Sequence, residues 1–197
     1  LDGRETNSVM ITKEKQTQIT QQRLAALYQA ITENGDAKSA DKLLQIYEKL
    51  NNREFMISFT GHFSAGKSSM INHLLGKSIL PKSPIPTSAN VVKIKSGRGS
   101  ARVYTDEGAT FEYEEPYDID IIKEYAKNKG NIKEIEISTK EAILPDGCTI
   151  IDTPGIDAAD DADRLITESS LHLVDALFYV MDYNHVQSEV NLHFLKK

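Results

Sequence analysis

The sequence predicts an α/β fold in which a mainly parallel sheet is flanked by helices as a three-layer unit, truncated at its C-terminal side and preceded by an α-helical hairpin. Three observations carry this reading. From Phe55 onward, short apolar runs of strand length alternate with segments of helical period. One such run, Phe55 to Thr60, leads into Gly61-His62-Phe63-Ser64-Ala65-Gly66-Lys67-Ser68-Ser69, which fits the phosphate-loop pattern G-x-x-x-x-G-K-[ST], and Ser68 to Leu75 then reads as a helix. Ahead of it, two amphipathic segments separated by Gly35 read as paired helices. Strand, glycine loop and helix in that order point to a P-loop NTPase fold.

The elements follow in order. Residues 1–9 are polar and patternless, which predicts disorder or an appended remnant. From Met10 to Asn34, Leu24, Leu27, Tyr28 and Ile31 keep helical spacing and Gly35 stops it. A second helix, capped by Ser39 or Asp41, carries Leu43, Leu44, Tyr47 and Leu50 on its apolar stripe and ends at Asn51-Asn52. Residues 10–52 therefore form a helical hairpin, and 53–197 a nucleotide-binding domain that is expected to be incomplete.

Within that domain, three prolines between Leu80 and Ser88 forbid regular structure. Strands are expected at Val91–Lys95, Arg102–Thr105 and Thr110–Tyr113, the last two joined as a hairpin through Asp106-Glu107-Gly108. A helix over Asp118–Lys127, a strand through Ile132, Ile135 and Ile137, and a buried strand over Cys148–Ile151 come next. After an acidic loop (Asp157, Asp160, Asp161, Asp163), read as solvated, a helix runs from Arg164 to Leu173. Ala176–Met181 is a further buried strand, and Ser188–Lys197 begins a helix. With no later strand beside it, Ala176–Met181 would present an apolar edge, so the natural chain is expected to continue.

Composition narrows the functional classes. The 197 residues, 40% hydrophobic, suffice for one sizeable core and a small accessory element. The longest wholly apolar run, Ala176–Met181, is far shorter than the roughly 20 residues a membrane span needs. A net charge of −6 argues against a broad nucleic-acid face. The single cysteine, Cys148, precludes an internal disulfide and reads as a buried strand residue in a reducing cytosol. No spaced Cys/His cluster suggests zinc, and His62, His73, His172, His185 and His193 read as structural.

The chemistry gathers at the glycine loop. Gly61 and Gly66 let the backbone curl so that its N–H groups point into a concavity for phosphate oxygens, and the following helix adds its N-terminal dipole. Lys67 would reach the β- and γ-phosphates, and the Ser68 hydroxyl would bind Mg²⁺. Asp152 ends a buried strand, where a carboxylate needs a charged companion such as a metal-bound water. Gly155, in Asp152-Thr153-Pro154-Gly155, permits close backbone approach to a γ-phosphate. Thr87 lies in a loop long enough to deliver its hydroxyl to the metal, with Ser88 as the alternative ligand.

These three stretches, the loop at 61–69, Pro86-Thr87 and Asp152-Thr153-Pro154-Gly155, resemble the first three nucleotide motifs of dynamin-like GTPases, bacterial ones above all, over about Arg53 to Lys197. The resemblance implies a GTPase that binds GTP/GDP and Mg²⁺, with metal ligands Ser68, Thr87 and Asp152. It implies that Lys67 holds phosphate, that Ser64 steadies the transition state, and that Asp152 and Gly155 form a second switch. By the same analogy a monovalent cation (K⁺ or Na⁺) and a facing GTPase domain complete the site. Membrane lipids would be met by parts outside this chain, for membrane remodelling, tethering or fusion by a cytoplasmic protein peripheral at the cell membrane.

Two departures stand out. Phe63 and Ile156 occupy positions where related GTPases carry glutamine, and neither side chain can orient water by hydrogen bonding. No [NT]-K-x-D motif follows Ala176–Met181, because Asn128-Lys129-Gly130-Asn131 and Thr139-Lys140-Glu141-Ala142 both lack the final Asp. GTP rather than ATP therefore rests on the resemblance, and an ATP-hydrolysing relative or a non-hydrolysing nucleotide-sensing scaffold are the alternatives.

Overall fold

A computed structural model of the chain describes residues 3–62, 65–80, 91–119, 121–122, 132–140, 144–155, 171–186, 189, 192, 195 and 196. It divides into two compact units, Leu1–Glu54 and Phe55–Lys197.

The first unit is an antiparallel-type helical pair, α1 (Gly3–Glu33) and α2 (Ala37–Asn51). Helix α1 starts at Gly3, so the disorder expected over residues 1–9 gives way to helical backbone from Gly3 onward. The physical reason is propagation: once a turn is nucleated, each added residue gains a hydrogen bond at little further cost. Gly35 reverses the chain at φ 78°. The cap of α2 is neither Ser39 nor Asp41 but Asp36, whose carboxylate accepts from the Ser39 N–H at 3.0 Å. Starting the helix at Ala37 makes Ser39 the third helical residue, whose N–H has no partner within the helix, and Asp36 is the carboxylate within reach of it. The apolar stripes meet unevenly: Leu24, Ile31, Leu43 and Tyr47 are half-buried, whereas Leu27 and Leu44 are exposed.

The second unit is built on seven strands: β1 (Phe55–Gly61), β2 (Val91–Ser96), β3 (Ser100–Thr105), β4 (Thr110–Glu114), β5 (Ile132–Thr139), β6 (Cys148–Asp152) and β7 (Ala176–Val180), with α3 (Lys67–Leu75) between β1 and β2. Their order in the sheet is β4-β3-β5-β2-β6-β1-β7. β1 pairs in parallel with β6 on one side and β7 on the other, and β2 pairs in parallel with β5. The seams β2–β6, β3–β5 and β3–β4 are antiparallel. Burial follows the pairing. Every residue of β6 is buried, as the continuous run Cys148-Thr149-Ile150-Ile151-Asp152 requires, while β2, β3 and β5 alternate and turn Val92, Ile94, Ala101, Val103, Ile135 and Ile137 into the core. Ile71 and Leu75 of α3 join the same cluster with Phe59 and Leu80.

β7 is not the buried strand that its composition predicts. Among the described residues it pairs with β1 alone, and Leu177 and Phe178 stay 44% and 52% exposed, Phe178 stacking on the buried Phe59 with ring centroids 5.1 Å apart. An edge position, not polarity, sets that exposure. The helices expected over Asp118–Lys127, Arg164–Leu173 and Ser188–Lys197 lie largely outside the described residues, as do the acidic loop at 157–163 and most of the proline loop; 121–122 are helical and Leu171–Leu173 form a 3₁₀ turn.

Gly61 has φ 141°, and a Cβ on it would collide with the Val180 carbonyl of β7. Gly61→Ala is expected to lower the unfolding free energy by about 2 kcal/mol or more in denaturant titrations. Gly108→Ala, at φ 83° with open space around its Cβ, costs only the left-handed backbone penalty, about 1 kcal/mol. In the helical unit, hydrogen bonding to Ser39 holds the Asp36 carboxyl below its ordinary value of 3.8. A depressed folded value means a contribution present above that ordinary value and lost as pH falls through the folded one. Asp36→Ala should therefore reduce helix stability, read by circular dichroism, at neutral pH and make little difference in strong acid.

Candidate phosphate-binding site

The site lies at the C-terminal ends of β6, β1 and β7, with Phe59 opposite Asp152 and Gly61 opposite Val180. Such a crevice beyond parallel strand ends is where open α/β sheets bind ligands. β1 delivers the chain into the loop, and Gly66, at φ 92°, turns it into α3. That left-handed residue is also the N-cap and makes no side-chain cap hydrogen bond, so the first N–H groups of α3 are not closed off by a cap side chain.

Lys67, the first residue of α3, is only 7% exposed. Its Nζ donates to the Gly61 carbonyl at 3.0 Å and to the His62 carbonyl at 2.8 Å, so the ammonium is folded back into the loop it follows. The His62 carbonyl also accepts from the Ala65 N–H at 3.2 Å, which closes the loop on itself. His62 is buried, Ala65 half-buried, and Gly66 and Ser69 exposed. The Ser68 hydroxyl donates to Asp152 Oδ2 at 2.9 Å. Asp152 is 8% exposed, and Gly155, three residues on, is half-buried.

Of the residues singled out in the sequence, Gly61, His62, Ala65, Gly66, Lys67, Ser68, Ser69, Asp152 and Gly155 are described, and the hydrogen bonds above join Lys67 to the loop and Ser68 to Asp152. Phe63, Ser64, Thr87, Ser88 and Ile156 lie outside the described residues. Sequence reasoning missed Thr153. Its N–H and its Oγ1 both donate to the Phe59 carbonyl, at 3.1 and 3.0 Å, and so pin the exit of β6 to β1 directly behind Asp152. A threonine after a strand-end aspartate was the available signal, but it looks like any turn residue.

The donor set suits magnesium. A hydroxyl and a carboxylate within 2.9 Å of each other are hard oxygen ligands, and Mg²⁺ commonly takes one or two such groups and completes its shell with water and phosphate. Among the described residues no group of three or more His, Cys, Asp or Glu stands together, so an all-protein metal cage is not what these residues offer. Also among the described residues, no helix is long and apolar enough to cross a membrane.

Comparison with known proteins identifies the lineage. The sequence profile of the dynamin family matches residues 57–197. The chain is 47% identical over 170 residues to Dynamin-like protein A of Bacillus subtilis (strain 168), a match covering 86% of this chain and 14% of that protein. It is 29% identical over 198 residues to Dynamin-like protein 1 of Campylobacter jejuni, covering 81% of this chain and 27% of the relative. It thus spans less than a third of the length of either relative. A solved structure described as an oligomerised bacterial dynamin pair, providing a mechanism for the long-range sensing and tethering of membranes, superposes with a TM-score of 0.56 at 23% identity, over 92% of this chain and 30% of that one. At that identity the likeness bears on the fold, a P-loop NTPase sheet with a helical part before it. With motif order, site geometry and family profile in agreement, the chain belongs to the dynamin family.

Proposed function

We propose that this chain binds and hydrolyses GTP, to GDP and phosphate, as the GTPase domain of a bacterial dynamin-like protein. The observation that carries the reading is the Lys67–loop and Ser68–Asp152 cluster at the common end of β1 and β6. Lys67 and the N–H groups that open α3 bind the β- and γ-phosphates, with the loop 61–69 wrapped around them. Ser68 and Asp152, with Thr87, would hold Mg²⁺, which would supply charge neutralisation for the phosphates. Ser64 donates toward the charge that develops in the transition state, and the Gly155 N–H reaches the γ-phosphate. Phe63 and Ile156 cannot orient water by hydrogen bonding, and by analogy with the family a monovalent cation, K⁺ or Na⁺, and a second GTPase domain complete the hydrolytic machinery.

Self-association through GTPase domains then couples turnover to membrane remodelling, tethering or fusion, with lipid contact made elsewhere in a longer protein at the cytoplasmic face of the cell membrane. The Bacillus and Campylobacter relatives and the bacterial dynamin pair support this reading by kinship.

The test is Mg²⁺-dependent hydrolysis of GTP and ATP across protein concentration, with K⁺ or Na⁺ present. A GTP-selective rate per molecule that climbs with concentration is expected. A flat rate would remove the dimer, equal use of ATP would remove guanine selectivity, and binding without turnover would make the chain a nucleotide-sensing scaffold. Lys67→Ala should weaken nucleotide binding about ten- to a hundredfold, the worth of a charge-assisted hydrogen bond, and abolish turnover. Asp152→Ala should leave GDP binding without Mg²⁺ largely intact while removing the benefit of added Mg²⁺, read by titrating a fluorescent GDP with and without the metal.

A further inference from the structure

Asp152 carries the carboxylate of the site, and its backbone lies at the end of two ladders at once. On one edge its pairing with Phe59 is the last of the parallel register between β6 and β1, and on the other it pairs with Val92, the second residue of β2. Ladder ends open more readily than ladder centres. Pro154 has no N–H, so it cannot add a donor of its own. A carboxylate suited to a metal therefore rides on backbone that the sheet alone holds loosely.

Thr153 supplies the missing hold. Its N–H and its Oγ1 both donate to the Phe59 carbonyl, at 3.1 and 3.0 Å, so the hydroxyl reaches across to β1 instead of back into its own turn. Thr153 is 3% exposed and Phe59 2%, and water does not compete for either group. Phe59 is itself fixed, since it belongs to the hydrophobic core and its ring stacks on Phe178. The partner of the carboxylate is fixed as well. Ser68, which donates to Asp152 Oδ2 at 2.9 Å, rides on α3, whose Ile71 and Leu75 lie in the same core. Asn72 of α3 secures the helix further: its side-chain amide accepts from the Ile79 and Leu80 N–H groups and donates to the Leu80 carbonyl.

We propose that Thr153 is a positioning residue for the metal: through its hydroxyl it ties the backbone that bears Asp152 onto β1, and so fixes the carboxylate where it and Ser68 would hold Mg²⁺ together. The inference rests on the GTPase reading. Adjacent Cα atoms are about 3.8 Å apart across a trans peptide, so a shift at Thr153 passes almost undiminished to Asp152. Mg²⁺ tolerates such a shift poorly, because it demands near-octahedral oxygen positions. Groups that orient a metal ligand from behind commonly contribute about ten- to a hundredfold to metal affinity. The Ser58 and Thr60 hydroxyls of β1 are buried as deeply but have no hydrogen-bond partner among the described residues, so they serve as the contrast.

The experiment compares the full-length wild type with Thr153→Val, Thr153→Ser and Thr60→Val, titrating a fluorescent GDP with Mg²⁺ chelated and again across a Mg²⁺ series. Valine keeps the branched shape and loses the hydroxyl, while the Phe59 carbonyl keeps the backbone N–H of residue 153 as its donor. Thr153→Val is expected to raise the Mg²⁺ concentration at half effect about tenfold, with GDP affinity in the absence of metal within about twofold of wild type. Thr153→Ser retains the hydroxyl and should lie close to wild type, and Thr60→Val, which removes a hydroxyl with no bond to lose, should match it. An unchanged Mg²⁺ midpoint in Thr153→Val, or an equal loss of GDP affinity with and without metal, would mean that Thr153 is only structural and would overturn the proposal. Should the valine variant fail to fold, Thr153→Ala takes its place under the same two criteria, and a tenfold shift in the serine variant overturns the proposal in either case. A wild type that binds no GDP, or gains nothing from Mg²⁺, sinks the GTPase reading and this proposal together, whereas a valine variant that gains from Mg²⁺ as the wild type does sinks the proposal alone.

Discussion

How closely β7 can lie against the last residue of β1 sets the geometry of the whole site. Any side chain at Gly61 would strike the Val180 carbonyl, so only glycine lets the parallel pairing of β1 and β7 run to the end of β1. With β6 paired on the other edge through Phe59 and Asp152, the chain leaves β1 level with the end of β7 and two residues beyond the end of β6. It must then turn at once, and the turn brings the Gly61 and His62 carbonyls around the Lys67 ammonium. A buried ammonium without partners would cost several kcal/mol. Loop and lysine therefore stabilise each other: the carbonyls keep the charge buried, and the charge keeps the carbonyls converged.

The remainder of the sheet supports that corner by apolar packing, not by its visible ion pairs. Lys93–Glu134 at 2.9 Å, Lys95–Glu136 at 2.8 Å and Arg102–Glu112 at 3.0 Å run across β2, β5, β3 and β4. The accessible pair Arg102–Glu112 contributes little to stability, and in the more covered Lys93–Glu134 and Lys95–Glu136 pairs desolvation offsets much of the Coulomb gain. On the opposite face Ile94, Ala101, Val103, Ile135 and Ile137 are almost wholly removed from water, and burying an Ile or Val side chain is worth about 1.5–3 kcal/mol. The charged residues instead pin the register, because a one-residue slip of any of these strands would send lysines and glutamates into the core.

What could be read in the sequence was what depends on neighbours along the chain. The strand, loop and helix at 55–75 declare themselves because glycine spacing, an apolar run and a helical period all fall within one short stretch. The order of the motifs, and the hairpin around Gly108, were legible for the same reason. The cap of α2 was not, since Asp36, Ser39 and Asp41 are all able caps and only the exact exit from the Gly35 turn selects among them. The composition of β7 reads as buried, and its exposed edge was legible only from the lack of a later strand pattern to pair with it, because an apolar strand looks alike in the middle and at the edge of a sheet. Asn72 and Thr153 were silent too: an asparagine on a helix and a threonine after a strand acquire their partners only when the chain returns from elsewhere.

The charge balance of the corner suits the anionic ligand proposed for it. The chain as a whole carries −6, which opposes the approach of a polyphosphate at long range. At physiological ionic strength that opposition fades beyond about 8 Å, so the local field decides. Locally, Lys67 and the N-terminus of α3, worth about half a positive charge, face Asp152 alone among the described carboxylates of the site. A second acidic residue would strengthen metal binding but cancel the attraction for phosphate. On the proposed reading, one carboxylate and one hydroxyl would leave most of a magnesium ion's coordination to phosphate and water, so metal and nucleotide would be recognised best as a single unit.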